Sequence, residues 1–220
     1  MDLASFLEGV SKGAIPIVFA ITVHEVAHGW VAKFFGDRTA EMQGRLTLNP
    51  IRHIDPVGTV LVPLILLLMP GDFLFGWAKP VPVDSRNLRN PRANMVWVSA
   101  AGPGANLLMA IFWSFLLMLS QRLDFGVAGQ WIGAMAVIGI SFNVLLAVFN
   151  MLPIPPLDGG QVVRNLLPPG PFSALLDRIA PLGLFIVVGL LVTGLLWPLV
   201  GGPIRSIIGL LVAAFGLQVA

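Results

Sequence analysis

Two histidines and a glutamate stand together in an otherwise apolar stretch, in the order His24-Glu25-Val26-Ala27-His28. On an α-helix, residues four apart share one face with their Cβ atoms about 5–6 Å apart, so both imidazoles can hold a single zinc ion. Glu25 follows the first histidine and can take a proton from a water molecule beside the metal. The pattern predicts a metal-dependent hydrolytic site with the ligands His24 and His28 and the base Glu25.

A catalytic zinc usually takes three protein ligands and keeps a fourth position for water, so one more donor is needed. The chain has no cysteine, which leaves histidine and the carboxylates. We favour Asp158, which closes the segment Asn150-Met-Leu-Pro-Ile-Pro-Pro-Leu-Asp158, because its prolines must end a helix and free backbone groups at membrane depth. Asp55, Asp72 and His53 stay open as alternatives, although their loop positions favour surface or turn roles.

The composition places these residues in a membrane protein. Hydrophobic residues make up 56% of the 220 residues and charged ones 11%, against about 25% charged in a soluble domain. A water-soluble globule is therefore excluded. The 13 basic and 11 acidic residues are scattered without a basic run, which argues against a nucleic-acid partner. Ionisable residues inside a membrane segment are costly, so three within five positions indicate function more than helix packing.

Four stretches reach the roughly 20 apolar residues that a membrane-spanning helix needs. They are residues 13–31, 93–121, 125–152 and 182–200. The apolar run 56–71, which Pro63 interrupts, and the C-terminal stretch 206–220 are shorter. The predicted fold class is an all-α polytopic membrane protein with four clear transmembrane helices, a re-entrant segment and a short C-terminal apolar segment.

The distribution of Lys and Arg predicts the orientation, because cytoplasmic loops carry the excess of positive charge. If residues 56–71 re-enter instead of crossing, one side collects Lys33, Arg38, Arg45, Arg52, Lys79, Arg86, Arg89, Arg92, Arg164 and Arg178. The other side keeps Lys12, Arg122 and Arg205. This asymmetry favours the re-entrant interpretation, with the N-terminus outside and the polar loops inside. Re-entry of residues 56–71 also makes the first and third segments run in the same direction, which brings the histidines and Asp158 to the same depth in the membrane.

These motifs resemble those of the site-2 protease family of intramembrane zinc metalloproteases, peptidase family M50. The resemblance covers residues 16–162 and rests on the His24–His28 helix and on Asn150-x-x-Pro with Leu157-Asp158-Gly159. Between them, Ala101-Gly-Pro-Gly-Ala-Asn106 is similar to the Gly-Pro and Asn element of the family's central helix. Residues 49–56 and 76–83 are similar to the short bacterial and archaeal members.

By that resemblance, His24, His28 and Asp158 would bind one Zn²⁺ per chain and Glu25 would be the catalytic base. Asn150 would face the site and help to hold the substrate or the oxyanion. The expected activity is hydrolysis of peptide bonds in transmembrane segments of protein substrates, as in regulated intramembrane proteolysis, at a bacterial or archaeal cell membrane. The chain departs from the larger members in having no room for a PDZ or CBS domain, so residues 1–220 are expected to form a single membrane-embedded metalloprotease domain.

Other interpretations accompany this one. The segment Pro80-Val-Pro-Val83 fits either an extended strand that holds an unwound substrate by its main chain or a plain proline-rich turn. Gly102, Gly104 and Ala105 predict close packing of the central helix, and Asn106 a packing hydrogen bond. Two further functions use the same ligands: a divalent metal-ion transporter and an inactive membrane scaffold. Glu25 separates the transporter from the protease, because transport needs no base, and a scaffold would hold no zinc.

Overall fold

The computed structural model describes residues 3–62, 64–65 and 76–218, and over these residues the chain is helical without strands. The described α-helices are α1 (Leu3–Phe34), α2 (Thr39–Met42), α3 (Pro91–Arg122), α4 (Gly126–Asn150), α5 (Asp158–Leu166), α6 (Pro171–Ile179), α7 (Gly183–Val192) and α8 (Leu196–Phe215). Short 3-10 turns lie at Pro50–His53, Ser85–Asn87 and Ala180–Leu182, and a π-helical turn at Pro56–Leu61.

Five helical stretches in the described part of the chain are long and apolar enough to cross a membrane. They are Glu8–Phe34, Pro91–Arg122, Gly126–Asn150, Pro171–Val192 and Leu196–Phe215. Each has at least the roughly 20 residues that the hydrocarbon thickness requires. The prediction of an all-α polytopic membrane protein is confirmed.

The boundaries at the C-terminal end differ from the prediction. A span at 182–200 followed by a short segment at 206–220 was expected, but α7 ends at Val192 and α8 runs for 20 residues from Leu196. The break lies at Gly194, whose φ of 74° is in the left-handed region that favours glycine. Thr193 donates its hydroxyl to the Gly189 carbonyl at this helix end. Hydropathy does not reveal the break because the residues on both sides are apolar.

The predicted re-entrant segment is described only at its beginning. There the Asp55 carboxylate accepts the N–H groups of Val57 and Gly58 and caps the π-helical turn. Residues 63 and 66–75 lie outside the described residues, and Asp72 is among them. Re-entry of this segment therefore stays a prediction.

Helix α3 is antiparallel to α1. The side chain of Asn106 contacts the Ala20 carbonyl near the middle of α1, whereas the Val98 carbonyl contacts His28 two turns further on. Contacts that lie further towards the C-terminus of α1 are thus made by residues closer to the N-terminus of α3. This pairing places the middle of α3 directly against the His24–His28 face.

Helix α3 is also antiparallel to α4. Asn106 donates to Asn143, and one turn before Asn143 the backbone of Gly139 lies against the indole of Trp113. Both α1 and α4 therefore run opposite to α3 and in the same direction as each other, as the sequence predicted. The bundle core behind the site contains Ala110, Trp113, Leu117, Ala136, Ile140, Val144 and Leu217.

Gly139 provides a test of this core. A Cβ at this position would lie 2.4 Å from Cγ of Trp113, a residue that is only 6% exposed. We expect Gly139→Ala to destabilise the protein by about 1–3 kcal/mol, as overpacking does. Unfolding of the purified protein in detergent measures the change. Gly209→Ala in α8, where a Cβ meets nothing within 4 Å, is the matched control, and equal stability of the two variants would contradict this packing.

Candidate metal centre

Helices α1 and α5 bring the three predicted ligands together. The Nε2 atoms of His24 and His28 are 3.1 Å apart, and Oδ2 of Asp158 lies 3.3 and 3.4 Å from them. Ligand atoms of the three residues all lie within 4.8 Å of one another. Neither Asp55 nor His53 belongs to this group, and Asp72 lies outside the described residues. Among the carboxylates that the structure describes, Asp158 is the one that meets the histidine pair.

The hydrogen bonds of the two imidazoles fit a metal ion. Nδ1 of His24 lies 2.6 Å from Oδ1 of Asn106, and Nδ1 of His28 lies 2.7 Å from the Val98 carbonyl. Both partners are acceptors, so each Nδ1 carries the proton and each Nε2 turns a lone pair toward the other imidazole and Asp158. Three acceptors that face one another need a shared cation, and two imidazoles with one carboxylate suit zinc.

Asn106 holds His24 through a buried network. Its side chain is 0% exposed, and its amide donates to the Ala20 carbonyl and to Oδ1 of Asn143. Asn143 in turn donates to the Gly139 carbonyl one turn earlier in α4. Because every amide donor is used, Oδ1 of Asn106 can only point at the imidazole. The predicted packing hydrogen bond at Asn106 is thus a contact to the metal centre.

Gly102 and Gly104 behave differently, although both were expected to pack closely. A Cβ at Gly102 would lie 2.4 Å from Nε2 of His28 and 2.6 Å from Cε1 of His24. A Cβ at Gly104 meets nothing within 4 Å, so the packing prediction is wrong there. Gly102 therefore sets the distance between α3 and the imidazole pair.

Asp158 reaches the histidines because the chain turns back after α4. Helix α4 ends at Asn150, the proline-containing turn follows, and α5 begins at Asp158 itself. A Cβ at Gly159 would lie 2.3 Å from the Met151 carbonyl oxygen, so only glycine lets α5 start against this turn. The prolines thus end the helix where the sequence predicted.

Glu25 lies half-buried beside the candidate metal ligands, and its Oε2 accepts the N–H of Val81 at 2.8 Å. Val81 belongs to residues 76–84, which follow the undescribed gap as an irregular segment. The structure therefore places the predicted extended segment directly against the predicted base. Sequence patterns gave no signal for this contact.

Asn150 and His53 complete the set of candidate residues. The amide of Asn150 donates to the Leu146 carbonyl within α4, and its role toward substrate stays a prediction. His53 was expected at the surface, but it is 3% exposed and its Nε2 contacts the Thr47 carbonyl. The expectation was wrong because the 3-10 turn Pro50–His53 folds the ring inward.

The chain is similar to known proteins over most of its length. The model of peptidase family M50 matches residues 126–192. The chain is 40% identical over 208 residues to YwhC of Bacillus subtilis (strain 168), which covers 91% of each protein. It is 34% identical over 177 residues to Rip2 of Mycolicibacterium smegmatis, which covers 80% of this chain and 64% of that protein. Both relatives are assigned by name as zinc metalloproteases. No solved structure matches the chain.

Substitution of Gly102 tests the metal centre. We expect Gly102→Ala to weaken zinc binding about 10–100-fold, because its methyl group would push both imidazoles away from Asp158. Titration of the detergent-purified apoprotein with zinc measures the affinity. Gly104→Ala, two residues away on α3, should bind zinc like the unmodified protein. Equal affinities for the two variants would contradict the contact between Gly102 and the histidines.

Proposed function

The chain belongs to peptidase family M50 and is a membrane zinc metalloprotease, and from this premise we propose that it cleaves peptide bonds within transmembrane segments of protein substrates. One observation carries the proposal. Two imidazoles, a carboxylate and an adjacent glutamate converge on a helix that is long and apolar enough to cross the membrane. Such a costly group of polar side chains in an apolar helix is explained by chemistry at that depth.

In this proposal His24, His28 and Asp158 hold one zinc ion per chain. When bound, zinc would polarise the scissile carbonyl and lower the pKa of water to about 7, so that hydroxide forms near neutral pH. The Glu25 carboxylate takes a proton from the attacking water and delivers it to the leaving nitrogen. Asn106 and the Val98 carbonyl fix the two rings throughout, since each accepts an Nδ1–H group.

A transmembrane substrate must also be unwound, because its carbonyls are engaged in hydrogen bonds four residues along the helix. The irregular segment around Pro80 and Val83 is suited to hold an extended peptide by its main chain. Asn150 is the candidate for a further contact to the substrate or the oxyanion. The substrate is thus a membrane protein whose helix opens beside the metal centre.

We also propose that the N-terminus is outside and the polar loops inside. The ten cations of the predicted inner side support this orientation. The histidines lie in the C-terminal half of α1, closer to this inner side. The relatives in Bacillus subtilis and Mycolicibacterium smegmatis support the bacterial alternative of the expected bacterial or archaeal cell membrane.

Glu25→Gln separates proteolysis from metal binding. The variant should keep about one zinc per chain but lose cleavage of a model transmembrane substrate by at least about 100-fold, because an amide takes up no proton. Asp158→Ala should lose zinc and cleavage together. Metal content and cleavage rate of the purified proteins measure both effects. Glu8→Gln on the same helix, which alters only an exposed ion pair with Lys12, is the matched control.

Undiminished cleavage by Glu25→Gln would refute the proposed role of this residue. Wild-type protein that moves zinc across proteoliposomes but cleaves no substrate would instead identify a transporter. Purified protein that holds no zinc, and that is unaltered by alanine at His24 and His28, would identify a scaffold.

A further inference from the structure

The predicted base is held by the main chain of a neighbouring segment. Oε2 of Glu25 accepts the Val81 N–H at 2.8 Å, and the side chain of Val81 is 7% exposed. The methyl Cγ1 of Val81 would lie 2.9 Å from a Cβ at Gly29, immediately after the metal-ligand pair. The segment is therefore packed against α1 at the site. What holds it there also determines where Glu25 points.

Arg45 holds this segment from the opposite side. Nη2 of Arg45 donates to the Lys79 carbonyl at 2.8 Å and contacts the Pro80 carbonyl at 3.4 Å. Arg45 is only 7% exposed, although its guanidinium group always carries a charge. A buried guanidinium is costly unless it is hydrogen-bonded, so its contacts to these carbonyls strongly favour one position of the segment.

The two contacts meet on one peptide group. The Pro80 carbonyl and the Val81 N–H belong to the same planar unit and point in opposite directions. The Arg45 cation lies at the carbonyl end of this unit and the Glu25 carboxylate at the N–H end. Arg45 thereby fixes the orientation of the peptide and strengthens its N–H as a donor by polarising it.

A second anchor holds the far end of the segment. Oδ2 of Asp37 accepts the Asp84 N–H at 2.7 Å, and Asp37 is 0% exposed. Burial alone would raise the pKa of Asp37, but hydrogen bonds from Thr39, Asp84 and Asn87 outweigh it and hold that pKa below its ordinary value. Asp37 therefore stays ionised at neutral pH, and residues 79–84 are fixed at both ends.

We propose that Arg45 is a positioning residue for the hydrolytic reaction: it holds the Pro80–Val81 peptide so that the Val81 N–H fixes Oε2 of Glu25 and leaves Oε1 to take the proton from water. This inference rests on the proposed function of Glu25 as the base. A misplacement of about 1 Å near reacting groups can lower a rate about 100-fold, so the effect should appear in kcat.

Arg45→Gln tests the inference. We expect kcat for a model transmembrane substrate to fall about 10–100-fold, with KM within about twofold and zinc retained at about one per chain. Hydrogen exchange at the Val81 amide should become faster. Arg45→Lys keeps the charge without the guanidinium fork and should recover part of kcat. Arg52→Gln, at an exposed arginine on the nearby 3-10 turn, is the matched control and should resemble the unmodified protein.

A raised KM with unchanged kcat would overturn the inference, because Arg45 would then act on substrate binding alone. Loss of zinc in parallel with activity would also overturn it, because the residue would then support only the fold. If Arg45→Gln does not fold, Arg45→Lys carries the same comparison, and a kcat equal to that of the unmodified protein would overturn the inference. Glu25→Gln is measured alongside. If Glu25→Gln is inactive while Arg45→Gln is fully active, only the inference about Arg45 fails. If Glu25→Gln is active, the proposed function fails.

Discussion

The structure depends on the mutual approach of two imidazole nitrogens and a carboxylate oxygen, 3.1–3.4 Å apart, in an apolar bundle. Each of these atoms presents a lone pair, because both Nδ1–H groups are already donated to α3. Without a cation the arrangement is repulsive as well as desolvated. With a zinc ion, the same burial strengthens the attraction between the metal and its ligands. Burial in the apolar bundle therefore causes both the cost of placing these polar groups at membrane depth and their affinity for the metal.

The register between α1 and α3 follows from this requirement. Ala20, His24 and His28 are spaced by four residues along α1, and Val98, Gly102 and Asn106 are spaced in the same way along α3. Because the helices are antiparallel, Asn106 faces Ala20 and His24, Gly102 faces both imidazoles, and Val98 faces His28. One face of α3 thus presents the Asn106 amide to His24, the Gly102 backbone to both imidazoles and the Val98 carbonyl to His28.

Local spacing made part of this site predictable. The histidine pair follows from helical geometry within five residues, and Asp158 follows from prolines that must end a helix, together with the parity of the spans. Asn106 was visible as a polar residue in an apolar helix, but its partner was not, since that partner depends on how two helices pack. The contacts of Val81 with Glu25 and of Arg45 with Lys79 and Pro80 join residues 34 to 56 positions apart, and both Val81 and Arg45 lie in loops without periodicity. Likewise the break at Gly194 depends on a backbone angle that hydropathy does not record.

The proposed metal ligands and the proposed base are supported by different parts of the molecule. His24 and His28 are oriented by α3, and Asp158 by the turn between α4 and α5, so the ligand set is fixed by packed helices. Glu25 shares α1 with the histidines, but its carboxylate is fixed by a loop segment that is held by a few hydrogen bonds and by the buried side chain of Val81. Helix packing tolerates little displacement, whereas a segment of this kind can shift when its hydrogen bonds are exchanged. An extended substrate that pairs with this segment would act on the base while it leaves the metal ligands in place.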